Sequence, residues 1–280
     1  MRSLPLDRQQ IALWLTALAA LASCSPREAV PAGPPRPDVL VTLGTGTIAA
    51  PDSVAPGWRR VRVEEDGAGH ILVVFRLRDS TANIDAAAFL GALDTAAGTP
   101  PSAVALGGPE VADTGEVVIH FTPGRYLMGC VRRGADGHRH ALTGEAKIVV
   151  VAAEPAEEPV VPAPVATQQV GMNEFAFLGP DRWVAGSHML RVRNDGAQDH
   201  QLRIARLRPG SSARDWMDAE DPGDHATAVA GVARLGPGGV AFLPVELPRG
   251  TYILHCLVPD PASRRPHVEL GMFREIHVGQ

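Results

Sequence analysis

The sequence lacks the features on which several common functions depend. Lys147 is the only lysine, the formal net charge is −5 and no basic run occurs, so nucleic-acid binding is not expected. The apolar run Ile11–Leu21 is too short to span a bilayer as a helix. No Ser/His/Asp elbow, phosphate-binding loop or dinucleotide fingerprint is evident, which leaves the common hydrolase and nucleotide-dependent classes without support.

The composition is nevertheless that of a folded protein. Apolar residues make up 45% of the chain and charged residues 20%, so the chain can bury proper cores and is not disordered. At 280 residues, two domains of ordinary size are expected.

The N-terminus has the pattern of a bacterial export signal. Arg2 and Arg8 precede the apolar run Ile11–Leu21, and the sequence Leu-Ala-Ser-Cys ends the segment at Cys24. This ending resembles a lipobox, whose cysteine is lipidated and becomes the mature N-terminus; an ordinary cleaved signal peptide is the alternative. We favour lipidation because the cysteine leads straight into a linker. The expected location is the bacterial cell envelope, with the exported protein lipid-anchored at the periplasmic or another extracytoplasmic face.

Composition also divides the rest of the chain. Segments rich in Pro, Ala, Gly or Glu predict a tether at 25–37 and an interdomain linker at 153–167. The expected domains are therefore 38–152 and 168–280, after a signal peptide at 1–24.

The two tyrosines of the chain reveal an internal repeat. Tyr126 lies four residues before Cys130, and Tyr252 lies four residues before Cys256. The offset is 126 residues for the two cysteines and 127 to 130 residues for three further pairs, namely His70 and His200, His140 and His267, and Glu145 and Met272. Two tandem domains of one fold are therefore expected.

Both halves consist mainly of short segments with strand patterns, separated by Pro and Gly turns. Ile84–Leu93 is the one clear helix candidate, Arg214–Ala219 is a single helical turn, and Val170–Phe177 is interpreted as one strand. Many strands and few helices predict an all-β protein with two tandem Greek-key β-sandwiches. Tyr126 and Tyr252 follow Pro/Gly turns, as the corner tyrosines of such sandwiches do.

The C-terminal half holds a donor set for copper. His200, Cys256, His267 and Met272 supply two imidazoles, one thiolate and one thioether. These are the ligands of a mononuclear blue-copper site, with His and Cys in a plane and a weak axial Met. Each residue alone has an ordinary structural role, since buried cysteine is often a small core residue. Their joint occurrence in this order favours copper.

The order resembles the cupredoxin superfamily, which includes plastocyanin, azurin and the copper domains of nitrite reductases and multicopper oxidases. The family pattern is an early His, a Gly-x-Tyr strand leading to Cys, and then His and Met. It is matched at His200, Gly250-Thr251-Tyr252, Cys256, His267 and Met272. The resemblance covers about the last 110 residues, the size of one sandwich domain. It implies one type 1 copper and single-electron transfer.

In the first half the matching donors are His70, Cys130, His140 or His138, and Glu145, which stands where the resemblance expects Met. A carboxylate ligand favours Cu(II) over Cu(I) and lowers the potential. The alternative is a degenerate domain whose residues persist for packing, and both interpretations remain open. Weak binding or none in this half predicts nearer one copper than two per chain.

Three further residues bear on the expected site. Gln201 stands where family members often have an Asn that bonds to the ligand loop. His267 is expected at the solvent edge, where electrons leave. In nitrite reductases and multicopper oxidases, which the order resembles, a His beside the copper Cys binds a second metal centre. His255 has that position, but Arg203 and Ala205 stand where nitrite reductases carry the other ligands of that centre. His255 is therefore expected to point outward, opposite to the copper cysteine.

These observations predict an electron carrier rather than an enzyme, with an unidentified redox partner protein. A copper oxidoreductase resembling two-domain nitrite reductase, a copper carrier and a metal-free scaffold stay open as alternatives. A disulfide between Cys130 and Cys256 is not expected, because the two residues occupy equivalent strands in separate cores.

Overall fold

A computed structural model describes residues 39–67, 69–78, 84–92, 98–110, 114–135, 137–153 and 162–279. The predicted signal peptide, Cys24, the predicted tether and residues 154–161 of the predicted linker lie outside these residues. Residues 37–280 belong to one compact unit. Within the described ranges, no helix has the length and apolar character needed to cross a membrane.

The first half is formed by short strands and one helix. The strands are β1 (Val39–Gly44), β2 (Thr47–Ala49), β3 (Ser53–Val54), β4 (Gly57–Glu65), β5 (Leu72–Leu77), β6 (Ala103–Ala105), β7 (Thr114–Phe121), β8 (Gly124–Cys130) and β9 (Ala146–Val151). The helix α1 (Ala86–Ala92) lies between β5 and β6.

The second half repeats this plan. Its strands are β10 (Gln168–Asn173), β11 (Ala176–Leu178), β12 (Arg182–Val184), β13 (Gly186–Asn194), β14 (His200–Leu207), β15 (Ala226–Leu235), β16 (Val240–Leu247), β17 (Gly250–His255) and β18 (Phe273–Gly279). The helix α2 (Ala213–Asp218) lies between β14 and β15 and begins with a capping box, in which Ser212 and Asp215 bond reciprocally to each other's backbone N–H.

Three sheets arrange these strands. One five-stranded sheet belongs to the first half, with the order β3-β9-β8-β5-β6, and another belongs to the second half, with the order β12-β18-β17-β14-β15. The third sheet has eight strands, in the order β11-β10-β13-β16-β7-β4-β1-β2. Each half thus packs its own sheet against its share of the common sheet, which makes a β-sandwich.

The strand orders show that the repeat extends through the whole architecture. When the strands are numbered from the start of each half, the two five-stranded sheets have identical strand orders. The common sheet reads the same from both ends, because β7 pairs with its own counterpart β16, antiparallel, at Ile119–Ala241 and Val118–Phe242. Equivalent strands that pair with each other are the sign of an isologous interface, so the halves are related by an approximate two-fold axis.

A second contact between the halves also involves equivalent parts of the repeat, since β15 is the counterpart of β6. The chain after β6 pairs with β15, through bridges from Leu106 to Leu235 and from Pro109 to Val232. Within the first half, the same segment also lies against β5: a Cβ added at Gly108 would be 2.1 Å from the Leu72 carbonyl oxygen. Glycine is required where backbones meet at this distance.

The cores also join across the halves. One cluster of buried apolar side chains runs from Val39 to Val278 and includes Cys130, Cys256 and Met272. Both tyrosines are fully buried. Each hydroxyl donates to the carbonyl oxygen four residues upstream, from Tyr126 to Thr122 at 2.7 Å and from Tyr252 to Pro248 at 2.6 Å. Both are corner tyrosines, as predicted.

The predicted fold class is confirmed: the described chain is all-β, with two tandem sandwiches of one topology and two short helices. The predicted single strand Val170–Phe177 is wrong. It is two strands, β10 and β11, which pair antiparallel around a turn at Glu174 and Phe175. Phe175 adopts φ 57°, a left-handed conformation that its sequence context did not reveal. The ten-residue strand β15 was not predicted at all.

Candidate metal centre

Three local features of the second half bring the predicted ligands together. His200 is the first residue of β14, and Cys256 follows the last residue of β17, which pairs with β14. His267 begins a 3-10 turn, His267–Leu270, that ends at Gly271 with φ 103°. This left-handed glycine reverses the chain and directs Met272 back toward the ligand strand.

The donor atoms of His200, Cys256 and His267 form a compact buried group. The two imidazoles approach through Nδ1 atoms at 3.1 Å, and Cys256 Sγ lies 3.5 Å from His267 Nδ1. One ligand atom from each residue lies within 4.8 Å of the others, and all three residues are 0% exposed. His200 Nε2 is buried with no hydrogen-bond partner among the described residues. Two imidazole Nδ1 atoms and a sulfur that converge in this way fit a metal ion between them.

Met272 completes the predicted set. It is 0% exposed and belongs to the same core cluster as Cys256. Its carbonyl oxygen accepts from Cys256 N at 3.3 Å, and its N–H donates to His267 O at 2.9 Å. These bonds tie the Met272 backbone to Cys256 and His267. The structure therefore contains a site of type 1 character at His200, Cys256, His267 and Met272.

The tautomer of His267 is fixed from outside the site. Its Nε2 lies 3.0 Å from Gln198 Oε1, and the Gln198 amide nitrogen donates to Asp260 Oδ1 at 3.1 Å. Because an amide oxygen only accepts, Nε2 carries the proton and Nδ1 presents a lone pair toward Cys256. An outer partner that orients a ligand in this way is typical of metal-binding histidines.

Burial sets the protonation of the ligands. It lowers the pKa of His200, and lowers the pKa of His267 to about 4 with the help of the neighbouring His200 charge. It raises the pKa of the Cys256 thiol to about 12. At neutral pH both imidazoles are therefore neutral and available as ligands. A metal ion must displace the thiol proton to bind.

The partner of Gln201 differs from the partner that the Asn has in the family that the sequence resembles. Its side chain does not cross to the ligand loop; its amide donates to both carboxylate oxygens of Glu110, at 3.1 and 2.9 Å, in the other half of the chain. Its backbone N–H donates to Cys256 Sγ at 3.4 Å. Glu110 is 5% exposed and also accepts from Arg203 Nε at 2.9 Å. Glu110 of the first half therefore fixes the side chain of Gln201, the residue whose backbone N–H donates to the ligand sulfur.

Asp199, on the other side of His200, is anchored in the same way. Its Oδ2 accepts from the N–H and hydroxyl of Thr99, in the first half, at 2.7 and 2.6 Å. It also accepts from Arg234 Nη1 at 2.9 Å. Both chain neighbours of His200 are therefore bonded to the first half, so the position of this ligand depends on the interface between the halves.

The structure changes the expected settings of His267 and His255. His267 is fully buried, with the Phe175 ring at 5.3 Å and Gln198 bonded to its outer nitrogen, so it does not reach the solvent edge. His255 does lie opposite to Cys256 on its strand, but it is only 5% exposed and packs on Trp216 with ring centroids 4.6 Å apart. Desolvation lowers its pKa to about 3.

His255 faces a cavity between the halves. Its Nδ1 is buried and has no hydrogen-bond partner within the described part of the chain. The cavity has a volume of about 260 Å³, and its lining includes His70, Glu110, Arg203 and His255. The sequence could not place these residues together, because they come from different halves.

The first half assembles a matching group. His70 Nδ1 lies 2.8 Å from Glu145 Oε2 and 3.2 Å from His140 Nδ1, which in turn lies 3.7 Å from Cys130 Sγ. One ligand atom from each of these residues lies within 4.8 Å of the others. His138 is exposed, so the group takes His140 of the two predicted alternatives.

The backbone pattern of the second site is repeated as well. Cys130 N donates to Glu145 O at 3.0 Å, and Glu145 N donates to His140 O at 3.2 Å. Glu145 therefore occupies the position that Met272 has in the second half. Cys130 and Cys256 are both free and buried, so the disulfide that was not expected is not formed.

The chain is similar in structure to several solved proteins. No protein-family model and no curated protein matches the sequence. Auracyanin from Roseiflexus castenholzii is 21% identical, with 40% of this chain and 95% of that chain covered and a TM-score of 0.29. A copper-containing nitrite reductase from Nitrosomonas europaea is 12% identical, with 86% and 82% covered and a TM-score of 0.24. A multicopper oxidase from Campylobacter jejuni is 12% identical, with 86% and 55% covered and a TM-score of 0.29.

Proposed function

We propose that this protein binds one copper ion through His200, Cys256, His267 and Met272 and passes single electrons. The observation that carries the proposal is the buried convergence of two imidazole Nδ1 atoms on the Cys256 sulfur, with Met272 bonded through its backbone to two of the three. Copper bound there supplies reversible one-electron oxidation and reduction.

For this function the protein holds the copper ligands rigidly in place. Outer hydrogen bonds fix His267 through Gln198 and the Cys256 sulfur through the Gln201 N–H. Donors held in place in both oxidation states move little when an electron arrives, which favours fast exchange. The single anionic donor, Cys256, leaves the buried site neutral with Cu(I) and singly positive with Cu(II), so neither state is strongly excluded by burial.

The proposal is tested by adding one equivalent of Cu(II) to the purified metal-free protein. An intense blue absorption is expected, from charge transfer between thiolate and Cu(II), with bleaching on reduction and recovery on oxidation. After desalting, elemental analysis should find the added copper still bound to the protein. A colourless protein that retains no copper after desalting contradicts the proposal.

A second candidate function is catalysis in the cavity beside His255. The specific observation is the unpartnered, buried Nδ1 of His255, which shares this cavity with His70. Reduction of nitrite or oxygen by the copper-loaded protein at enzyme-like rates, lost in His255→Ala, would favour an oxidoreductase over a carrier. Absence of turnover leaves electron transfer as the function.

The proposed place of action is the cell envelope, with the chain exported and anchored by lipid at Cys24. The support is the sequence Leu-Ala-Ser-Cys after an apolar run. Mass spectrometry of protein from a bacterial host is expected to find a lipid-modified Cys24 as the mature N-terminus. The variant Cys24→Ala should lose this modification and should no longer be recovered in the membrane fraction. An unmodified N-terminus at another residue contradicts anchoring, without bearing on copper.

A further inference from the structure

We propose that His70, Cys130, His140 and Glu145 form a second, closed metal site that holds a divalent cation of zinc type and takes no part in electron transfer. The proposal goes beyond the copper function and does not depend on it, since all four residues belong to the first half.

The first support is the spacing of the donor atoms. A tetrahedral ion with bonds of about 2.0–2.1 Å to N or O and about 2.3 Å to S separates neighbouring donors by about 3.3 to 3.6 Å. The separation is 3.2 Å between the two Nδ1 atoms, 3.3 Å from His140 Nδ1 to Glu145 Oε2, and 3.7 Å from His140 Nδ1 to Cys130 Sγ. The distance from His70 Nδ1 to Glu145 Oε2 is shorter, at 2.8 Å. The donors therefore need only small movements to surround such an ion.

The second support comes from the groups that orient the donors. His70 Nε2 lies 3.1 Å from Asp66 Oδ1, the carboxylate–histidine arrangement common at zinc sites. Gly46 N donates to Glu145 Oε1 at 3.0 Å, which leaves Oε2 directed at the two imidazoles. Every donor residue except His140 is almost fully buried.

Hydrogen-bond counting points the same way. A neutral imidazole has one N–H, yet both ring nitrogens of His70 face carboxylate oxygens, from Glu145 and Asp66. His140 Nδ1 also lies against Glu145 Oε2. These contacts are satisfied together either by an extra proton in the group, on an imidazole or on a carboxylate, or by a metal ion among the donors. The experiment below separates the proton from the metal ion.

Charge then selects the kind of metal. The first site has two anionic donors, the thiolate of Cys130 and the carboxylate of Glu145, and two neutral imidazoles. A dication makes this buried group neutral, whereas a monovalent ion leaves a net negative charge in the core, which is costly. The second site has one anionic donor, because Met272 replaces the carboxylate. One repeat thus suits a fixed dication and the other suits an ion that changes charge.

The test uses metal-free Cys256→Ser, in which Cys130 is the only core thiol, and Co(II) as a spectroscopic probe. One equivalent of Co(II) is expected to give the strong visible bands of tetrahedral cobalt together with a thiolate charge-transfer band, and Zn(II) should displace it. The double variant Cys130→Ser, Cys256→Ser should show neither. Absence of the cobalt bands in Cys256→Ser means that a proton fills the group, and this overturns the proposal.

Two further variants separate the ligands from the fold. In the same background, Asp66→Asn should weaken Zn(II) binding about 10- to 100-fold, because it removes the partner of His70. Glu145→Met should weaken Zn(II) binding and raise the affinity for Cu(I) relative to Zn(II). Unchanged Zn(II) affinity in Glu145→Met overturns the proposal. If Cys256→Ser does not fold, metal-free wild-type protein and Cys130→Ser are each titrated with Co(II). A thiolate charge-transfer band that is stronger in the wild type, by one equivalent of bound Co(II), supports the proposal, and equal bands in the two proteins overturn it.

Discussion

Cys256→Ser is expected to abolish the intense blue absorption of the copper-loaded protein, whereas Cys130→Ser is expected to leave it intact. The colour requires a thiolate ligand, and the structure places the Cys256 sulfur 3.5 Å from His267 Nδ1. Visible spectra of both variants, each loaded with one equivalent of Cu(II), measure the effect. Circular dichroism checks that both remain folded.

The two variants are matched controls for each other. Both cysteines are 0% exposed, burial raises the pKa of each thiol to about 12, and they stand at equivalent points of the repeat. Replacing either sulfur by a hydroxyl therefore perturbs a similar environment. Equal loss of colour in both variants, or persistence of the band in Cys256→Ser, would show that the copper is not where we place it.

Asp199→Ala is expected to cost about 3 kcal/mol of unfolding free energy in the metal-free protein, and to weaken copper binding as well. Removing this carboxylate strands Arg234, whose side chain is 15% exposed, and leaves the Thr99 N–H without its acceptor. Because Asp199 precedes His200, the same change loosens a ligand. Urea unfolding and copper competition titrations measure the two effects.

The control is Glu269→Ala, which breaks an ion pair that lies at the surface, close in sequence to the candidate ligand His267. Arg265 Nε lies 3.1 Å from Glu269 Oε2, with side chains 56% and 47% exposed. Such a pair contributes less than about 1 kcal/mol. Similar small losses in both variants would mean that the contact of Asp199 with the first half does not stabilise the fold.

The candidate ligands could be predicted from the sequence because most of the candidate site is local. Cys256, His267 and Met272 lie within one strand end and one turn, and the repeat of the same spacing in the first half independently marks both sites. The corner tyrosines are equally local, since each bonds to a residue four positions away. Short-range patterns of this kind survive without knowledge of the tertiary structure.

The surroundings of the site were missed because they come from distant parts of the chain. Glu110 reaches Gln201 only because the chain after β6 lies along β15, and β15 itself is rich in Ala, with weak strand propensity. Gly231 offered a signal: a Cβ there lies 2.7 Å from Leu202 O and 3.1 Å from Glu110 O. A glycine among small residues in a strand can mark such a close approach of backbones.

The pairing of β7 with β16 bears on how a chain of this kind arises. A single half would expose the edge that its counterpart now covers, and two identical copies could close it by forming a symmetric homodimer. Joining the copies in one polypeptide replaces association at cellular concentration with an effective concentration on the order of millimolar. It also ends the requirement that both copies be identical. One copy can then keep a thioether at position 272 while the other places a carboxylate at 145, a divergence that a homodimer encoded by a single unduplicated gene cannot achieve.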